Sequence, residues 1–398
     1  MRIGNELELI QLTGVSVFSL LVYSTGYQKT LLNDFLFCIV PQYLAVMYPD
    51  SVGNIYICLA MLISYSGIEK KTNRNDPKTR VIDMMRFGVS LLVVIAIYAA
   101  DFSMFDQRLG KLHFFGIGLM DIGVGSFIFN GGIVGYKNKS RRYFKSCPIL
   151  LVLGLTRYFV VEYFGLNVNP REYGMHLNFY FLLAFVNLMY AVIRSRHDFA
   201  VGMCIITVYE MVLKSTGLMH FILSDKRETL FEKNKEGMLA IIPYLSIFLM
   251  ATAVGKICFS DLKRYMKGLR MLGITAIFGF LYVMFSMMNE ASRRLGNGAF
   301  VFWILGLHSL HMTVYLLFES MVDLHVPLVM RFSSSNMMFV FLFSNLLVLA
   351  GNVMFELKAF SSLLSHVNML MYLVSVFVIP AVFANAFDLR RIGLKYRA

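Results

Sequence analysis

The sequence predicts an all-α, polytopic integral membrane protein with about thirteen transmembrane helices, folded as one domain over residues 1–398. Three observations carry this. Charged residues make up only 15% of the chain against 58% hydrophobic, whereas soluble domains carry about 25% charged residues. Apolar stretches near the roughly 20 residues that cross a bilayer recur from one end of the chain to the other. Proline is scarce, at 8 residues, beside 36 Phe and 27 Met, which suits long helices in lipid, where an unpaired backbone group is expensive. A soluble helical protein would show a polar face on each helix, and most of these stretches have none.

In chain order the apolar stretches run about 9–27, 31–48, 51–67, 87–105, 114–136, 148–164, 175–193, 199–223, 238–258, 271–288, 299–321, 338–356 and 362–387. No internal repeat, Ser/Gly linker or low-complexity tract divides them. The N-terminal MRIGNELE lacks a basic leader, so the first stretch reads as an uncleaved anchor. Cys38, Cys58, Cys147, Cys204 and Cys258 are scattered without CxxC spacing and read as free apolar fillers.

The net charge of +13 invites a nucleic-acid reading. In a polytopic chain, basic loops instead reflect topology and anionic headgroups, so no nucleic-acid partner is expected. With the N-terminus outside, inside segments carry 24 Lys and Arg and outside segments 11, with Arg157 and Lys214 inside spans. The bias predicts an outside N-terminus and a cytosolic C-terminus.

Polar residues within spans are the first candidates for function. Glu210 and Lys214, four apart, read as an intrahelical ion pair. His308 and His311 share a helix face but lack a third metal ligand, so no metal is expected. Asn345 and Asn352, seven apart, read as interhelical hydrogen-bonding groups.

Four polar clusters fall between spans on the outside face. The first is DFSMFDQRLGKLH, 101–113, followed by GLMDIGVGS, 118–126. A short hairpin here allows Asp101 and Lys111 to meet, with Asp121 lying deeper. Gly116, Gly118, Gly123 and Gly125 permit either close helix approach or room for a lipid chain. The second cluster contains Glu172, His176 and Asn178; the third is Asn234-Lys235-Glu236; the fourth holds Arg293 and Arg294. Their convergence on one face predicts a single shared site.

Taken in order, GLMDIGVGSFIFNGGIV, REYGMHLNF, NKEGMLAIIPYL, SRRLGNGAFVFWILGLH and NLLVLAGN resemble the motifs of the GPI-anchored wall transfer protein family, called PIG-W in animals. The likeness covers about 30–385. Departures are Ser103 for a family Pro, Leu112-His113 for Thr-Glu, and Val348-Leu349 for Thr-Gly. The resemblance implies an endoplasmic reticulum acyltransferase. Its donor would be a fatty acyl-CoA, typically palmitoyl, and its acceptor the inositol 2-hydroxyl of glucosaminyl-phosphatidylinositol, with no cofactor. Such chemistry needs a base, an oxyanion stabiliser and cations for lipid phosphate. Asp101 and Lys111 would supply the first two, with His176 as the competing base. Arg108, Lys235, Arg293 and Arg294 would hold phosphates. Asp121, Glu172, Asn178, Asn234 and Glu236 would line the substrate site. Ser126 would also lie there, but as an acyl-enzyme nucleophile it has no evident base. A lipid transporter or scramblase, or a non-catalytic membrane partner, is the alternative; against a transporter, the motifs crowd one face and no inverted repeat is visible.

Overall fold

Seventeen α-helices and one π-turn account for most of the computed structural model, which describes residues 3–24, 30–66, 79–138, 140–165, 169–322 and 324–386. They are α1 (Ile3–Ser24), α2 (Leu31–Cys38), α3 (Val40–Met47), α4 (Val52–Ser66), α5 (Val81–Ala99), α6 (Ile122–Gly135), α7 (Ser140–Tyr163), α8 (Phe179–Ile193) and α9 (Asp198–Ser215). There follow α10 (Leu218–Leu223), α11 (Leu230–Cys258), α12 (Arg264–Ser286), α13 (Gly298–Met321), α14 (Leu328–Ser335), α15 (Met337–Met354), α16 (Ser362–Leu373) and α17 (Ile379–Ala386). Among the described residues the sole β-type pairing is an isolated bridge between Gly116 and Ser292. Part of the basic residues used for orientation, from Lys29, Lys70, Lys71, Arg74, Lys78 and Lys139 to the C-terminal four, lies outside the described residues.

Each apolar stretch coincides with a helix or helix pair. Among the described residues eight helices are long and apolar enough to cross a membrane, or nine if Leu31–Met47 and Pro49–Ser64, bent by 119°, count as one span. Leu119–Gly135 and Phe179–Ile193 are shorter apolar helices. The protein is therefore an all-α, multi-pass membrane protein.

Helix starts follow ordinary capping chemistry. Asn178 caps α8, Asn297 caps α13 and Ser361 caps α16, while Thr229 and Glu232 form a capping box on α11. Pro148 and Pro243 sit inside α7 and α11. In the centre stand α5, α11 and α13, whose apolar windows are 67–78% buried. In α7 and α12 only 17% of the window is buried. Their outward Val152, Phe159, Ile277 and Phe280 form an apolar surface fitted to lipid.

The polar clusters gather at one end of the bundle. There α1 begins, with Glu8 paired to Arg108 and Glu6 accepting from the Tyr282 hydroxyl. The Ser362–Ala386 helix starts at this same end, where Phe360 packs on Phe102.

Candidate functional site

The hairpin after α5 does not continue as helix. Gly116 takes a left-handed φ of 96°, and a Cβ at Gly118 would lie 2.0 Å from the Gly110 carbonyl oxygen. These glycines therefore serve a turn and a close backbone approach; of the four weighed for a lipid path, Gly123 lines open space. The Gly116 N–H donates to Ala291 O at 2.8 Å and the Ser292 hydroxyl donates to Phe114 O, fastening the hairpin to the 289–297 loop.

Asp121 is the hub of that junction. One carboxylate oxygen accepts from the backbone N–H of Leu112 (3.1 Å) and Gly118 (2.9 Å), and the other from Arg293 Nε at 2.9 Å. Burial, the largest single influence, opposes the charge on Arg293, but Asp121 together with Tyr244, Glu172 and Tyr173 outweighs it and holds the guanidinium more firmly protonated than usual.

The third cluster is a second frame. Glu236 accepts from Arg227 at 2.5 and 3.0 Å and from Arg294 at 3.1 Å. Lys235 Nζ donates to the carbonyls of Phe221 and Ser224 and to the Ser224 hydroxyl, at 2.7–2.8 Å, closing the end of α10. Asn234 reaches back to the 169–178 loop. Its Oδ1 accepts from His176 N, and its Nδ2 donates to Leu230 O and His176 Nδ1, all at 3.0 Å. Because Nδ2 is the donor, His176 Nδ1 is the acceptor and its proton sits on Nε2. Asn178 caps α8 and donates to Gly154 O at 2.9 Å, tying the loop to α7.

Between these frames and the helices lies a cleft. Leu92, Val93, Ala96 and Ile97 of α5, Phe127 of α6 and Phe341 of α15 are among its apolar walls; Lys111, Arg157, Glu172, Tyr173, Arg293 and Asn345 supply its polar groups. Lys111 Nζ sits 2.5 Å from Glu172 Oε1, the two side chains 34% and 21% exposed. No ion pair joins Asp101 to Lys111 in this structure, and neither Asp101 nor His176 is among the residues that line the cleft. Asp101, one helical turn beyond Ile97, accepts from Asn352 Nδ2 at 2.7 Å. Burial raises its pKa, while Asn352 and Lys358 pull the other way.

The remaining expected positions divide. Glu172 and Arg293 line the cleft with Lys111. Arg108 does not; it is surrounded by Glu8, Asp106 and Asp50 within 3.1 Å. Lys235, Glu236 and Arg294 are buried in the frame. Ser126 does have a histidine partner, His308 Nε2 at 2.7 Å, but its hydroxyl donates to Ile122 O and both residues are buried away from the cleft. The expected Glu210–Lys214 pair is not formed: Glu210 accepts from Asn289 Nδ2 and Gly298 N at 2.8 Å, steadying the start of α13, and Lys214 is exposed. Of the two asparagines read as interhelical, Asn352 bonds from α15 to Asp101 just past the end of α5, whereas Asn345 donates to Phe341 O within its own helix. All five cysteines are free. Among the described residues no group of three His, Cys, Asp or Glu is placed to hold a metal. Sequence reasoning passed over Arg157 and assigned Asn345 only a structural part; a basic residue inside a span was the available signal.

Fold and cleft together define a multi-pass membrane protein with a cleft that has apolar walls and carries Lys111, Arg157, Glu172 and Arg293. A family model described as GWT1 matches residues 4–383, and the chain belongs to that family. It is 26% identical over 396 residues to "Phosphatidylinositol-glycan biosynthesis class W protein" of Dictyostelium discoideum, covering 82% of this chain and 80% of that one. It is 28% identical over 390 residues to "GPI-anchored wall transfer protein 1" of Schizosaccharomyces pombe, covering 86% and 84%. The protein of that same name from Aspergillus fumigatus is 31% identical over 325 residues, covering 67% and 64%.

Proposed function

We propose that this protein acts in GPI-anchor biosynthesis as an acyl-CoA-dependent O-acyltransferase of the endoplasmic reticulum membrane. It moves a fatty acyl group, palmitoyl by family resemblance, to the inositol 2-hydroxyl of glucosaminyl-phosphatidylinositol. The observation that carries this reading is the cleft: apolar walls for acyl chains meet a lip bearing Lys111, Glu172 and Arg293, in a chain of the GWT1 family.

In the proposed step Asp101 takes the inositol hydroxyl proton as the oxygen attacks the thioester carbonyl. Lys111, released in part from Glu172, stabilises the oxyanion. The new C–O bond forms, the C–S bond breaks, and the proton passes to the departing CoA thiolate. Burial around Asp101 raises its basicity. His176 orients the acceptor through its Nε2–H, since Asn234 already occupies Nδ1. No cofactor takes part.

Purified protein given labelled palmitoyl-CoA and glucosaminyl-phosphatidylinositol should yield acylated lipid. Asp101→Asn and Lys111→Ala should abolish turnover while retaining substrate binding. Absence of product from the unaltered protein would overturn the reaction assignment; near-normal turnover by Asp101→Asn with loss in His176→Ala would transfer the base role to His176.

A further inference from the structure

We propose that Arg157 is the subsite of the cleft for a phosphate carried by a lipid substrate. The ligand identity rests on the acyl-transfer reading; the charge argument rests on the cleft itself. Arg157 is exposed and lies in α7, six residues before its end at Tyr163, about 9 Å of helix rise from that end. It lines the cleft beside Tyr173 and Tyr180. The Asn178–Gly154 hydrogen bond fixes α7 against the 169–178 loop one turn away.

The other cations of the cleft are already neutralised. Lys111 pairs with Glu172 at 2.5 Å, and Arg293 with Asp121 at 2.9 Å. Among the described residues no carboxylate lies within 4.0 Å of Arg157. The cleft thus carries one uncompensated positive charge, held at its lipid-facing wall. A guanidinium matches a phosphate in a two-pronged, charge-assisted contact. Snorkelling toward headgroups is the ordinary course for such an arginine, yet this one faces the cleft that would hold the acyl chains. Both substrates offer the required chemistry: the phosphodiester of the inositol lipid, and the phosphates of the acyl-CoA.

The test measures equilibrium binding of labelled phosphatidylinositol, palmitoyl-CoA and diacylglycerol separately to purified protein in detergent micelles. Arg157→Gln and Arg157→Lys are compared on monodisperse material. Arg157→Gln should weaken one phosphate-bearing ligand by about tenfold or more, the loss expected for a charge-assisted bond. Arg157→Lys should be intermediate and diacylglycerol unaffected. A loss confined to phosphatidylinositol assigns the site to the acceptor lipid; one confined to palmitoyl-CoA assigns it to the donor. Equal binding of both ligands by Arg157→Gln, equal weakening of diacylglycerol, or no preference of the unaltered protein for phosphate-bearing ligands would overturn the proposal. Turnover measured in parallel separates the two readings. Active protein whose binding ignores Arg157 defeats the subsite alone; selective binding loss in protein without transferase activity defeats the transferase alone.

Discussion

Replacing Asp121 by Asn isolates the energy of the junction beneath the cleft. The Asp121 side chain is fully buried and that of Arg293 only 8% exposed, so neither gains much from solvent when the partner is lost. Removing one member of a buried ion pair costs about 3–5 kcal/mol, because the other charge stays buried without compensation. Asp121→Asn retains an oxygen that can accept from both backbone N–H groups, since one carboxylate oxygen already serves both, and turns an amide donor toward Arg293. Asp121→Ala also leaves the N–H donors of Leu112 and Gly118 without their acceptor, each at a cost of about 1–3 kcal/mol, and should be the more severe. In the double variant Asp121→Asn/Arg293→Gln no buried charge remains, so part of the stability should return. The assay is heat inactivation of purified protein in detergent, followed by loss of the monodisperse peak. Unfolding of a large membrane protein is read there as a rate, and the ranking should be unaltered protein, then the double variant, then Asp121→Asn, then Asp121→Ala. If Asp121→Asn matches the unaltered protein, or the double variant is worse than Asp121→Asn alone, the ion pair is not what holds the hairpin to the 289–297 loop.

The buried carboxylate of Glu236 serves two arginines, so Glu236→Gln should shorten the heat-inactivation half-life markedly, whereas Glu228→Gln on the surface should leave it unchanged; equal half-lives for both would refute the frame role. Turnover requires Asp101 ionised and should fall as pH drops through its pKa, at a pH above the ordinary Asp range because burial raises that value. Asn352→Leu removes a hydrogen bond that lowers it, so the acid limb of the pH–rate profile should move to higher pH; an unmoved limb would show that Asp101 is not the titrating base. Glycosylation acceptor tags should be modified at the N-terminus and not at the C-terminus, and a glycosylated C-terminal tag would reject the lumenal-to-cytosolic orientation.

The spans were legible because lipid demands long apolar runs with internally bonded backbone. Their edges were harder. The helix expected from 148 begins at Ser140, since Arg141, Arg142 and Lys145 continue helical beyond the apolar window. The helix expected from 238 begins at Leu230, drawn out by the Thr229–Glu232 capping box. The stretch expected from 114 becomes regular at Leu119 because Gly116 and Gly118 hold an irregular turn. The run 199–223 breaks at Gly217, whose φ is 67°. The gathering of the polar clusters at one end was also legible, because they all interrupt spans of the same parity. Their pairings were not. Lys111 finds Glu172 across 61 residues, and Arg293 finds Asp121 across 172. Such distances are set by helix packing, which no local pattern encodes.

The pairings sort the polar face into two kinds of charge, and accessibility decides what each can do. Asp121 with Arg293, and Glu236 with Arg294, have side chains at most 8% exposed. Separating them would leave charge stranded in the interior, so they act as fixed struts. Lys111 and Glu172 are 34% and 21% exposed and open onto the cleft, so an incoming oxygen can replace one partner of the contact without leaving the other unsolvated. An oxyanion stabiliser must make this kind of exchange, with its interaction growing as charge builds on the carbonyl. On that ground Lys111 suits the transition state and Arg293 the scaffold that holds it. The transferase reading thus requires Lys111→Ala to lower turnover without loosening the fold, and Arg293→Gln to loosen the fold. The reverse result, a stable but inactive Arg293→Gln beside an unstable Lys111→Ala, would exchange the two roles.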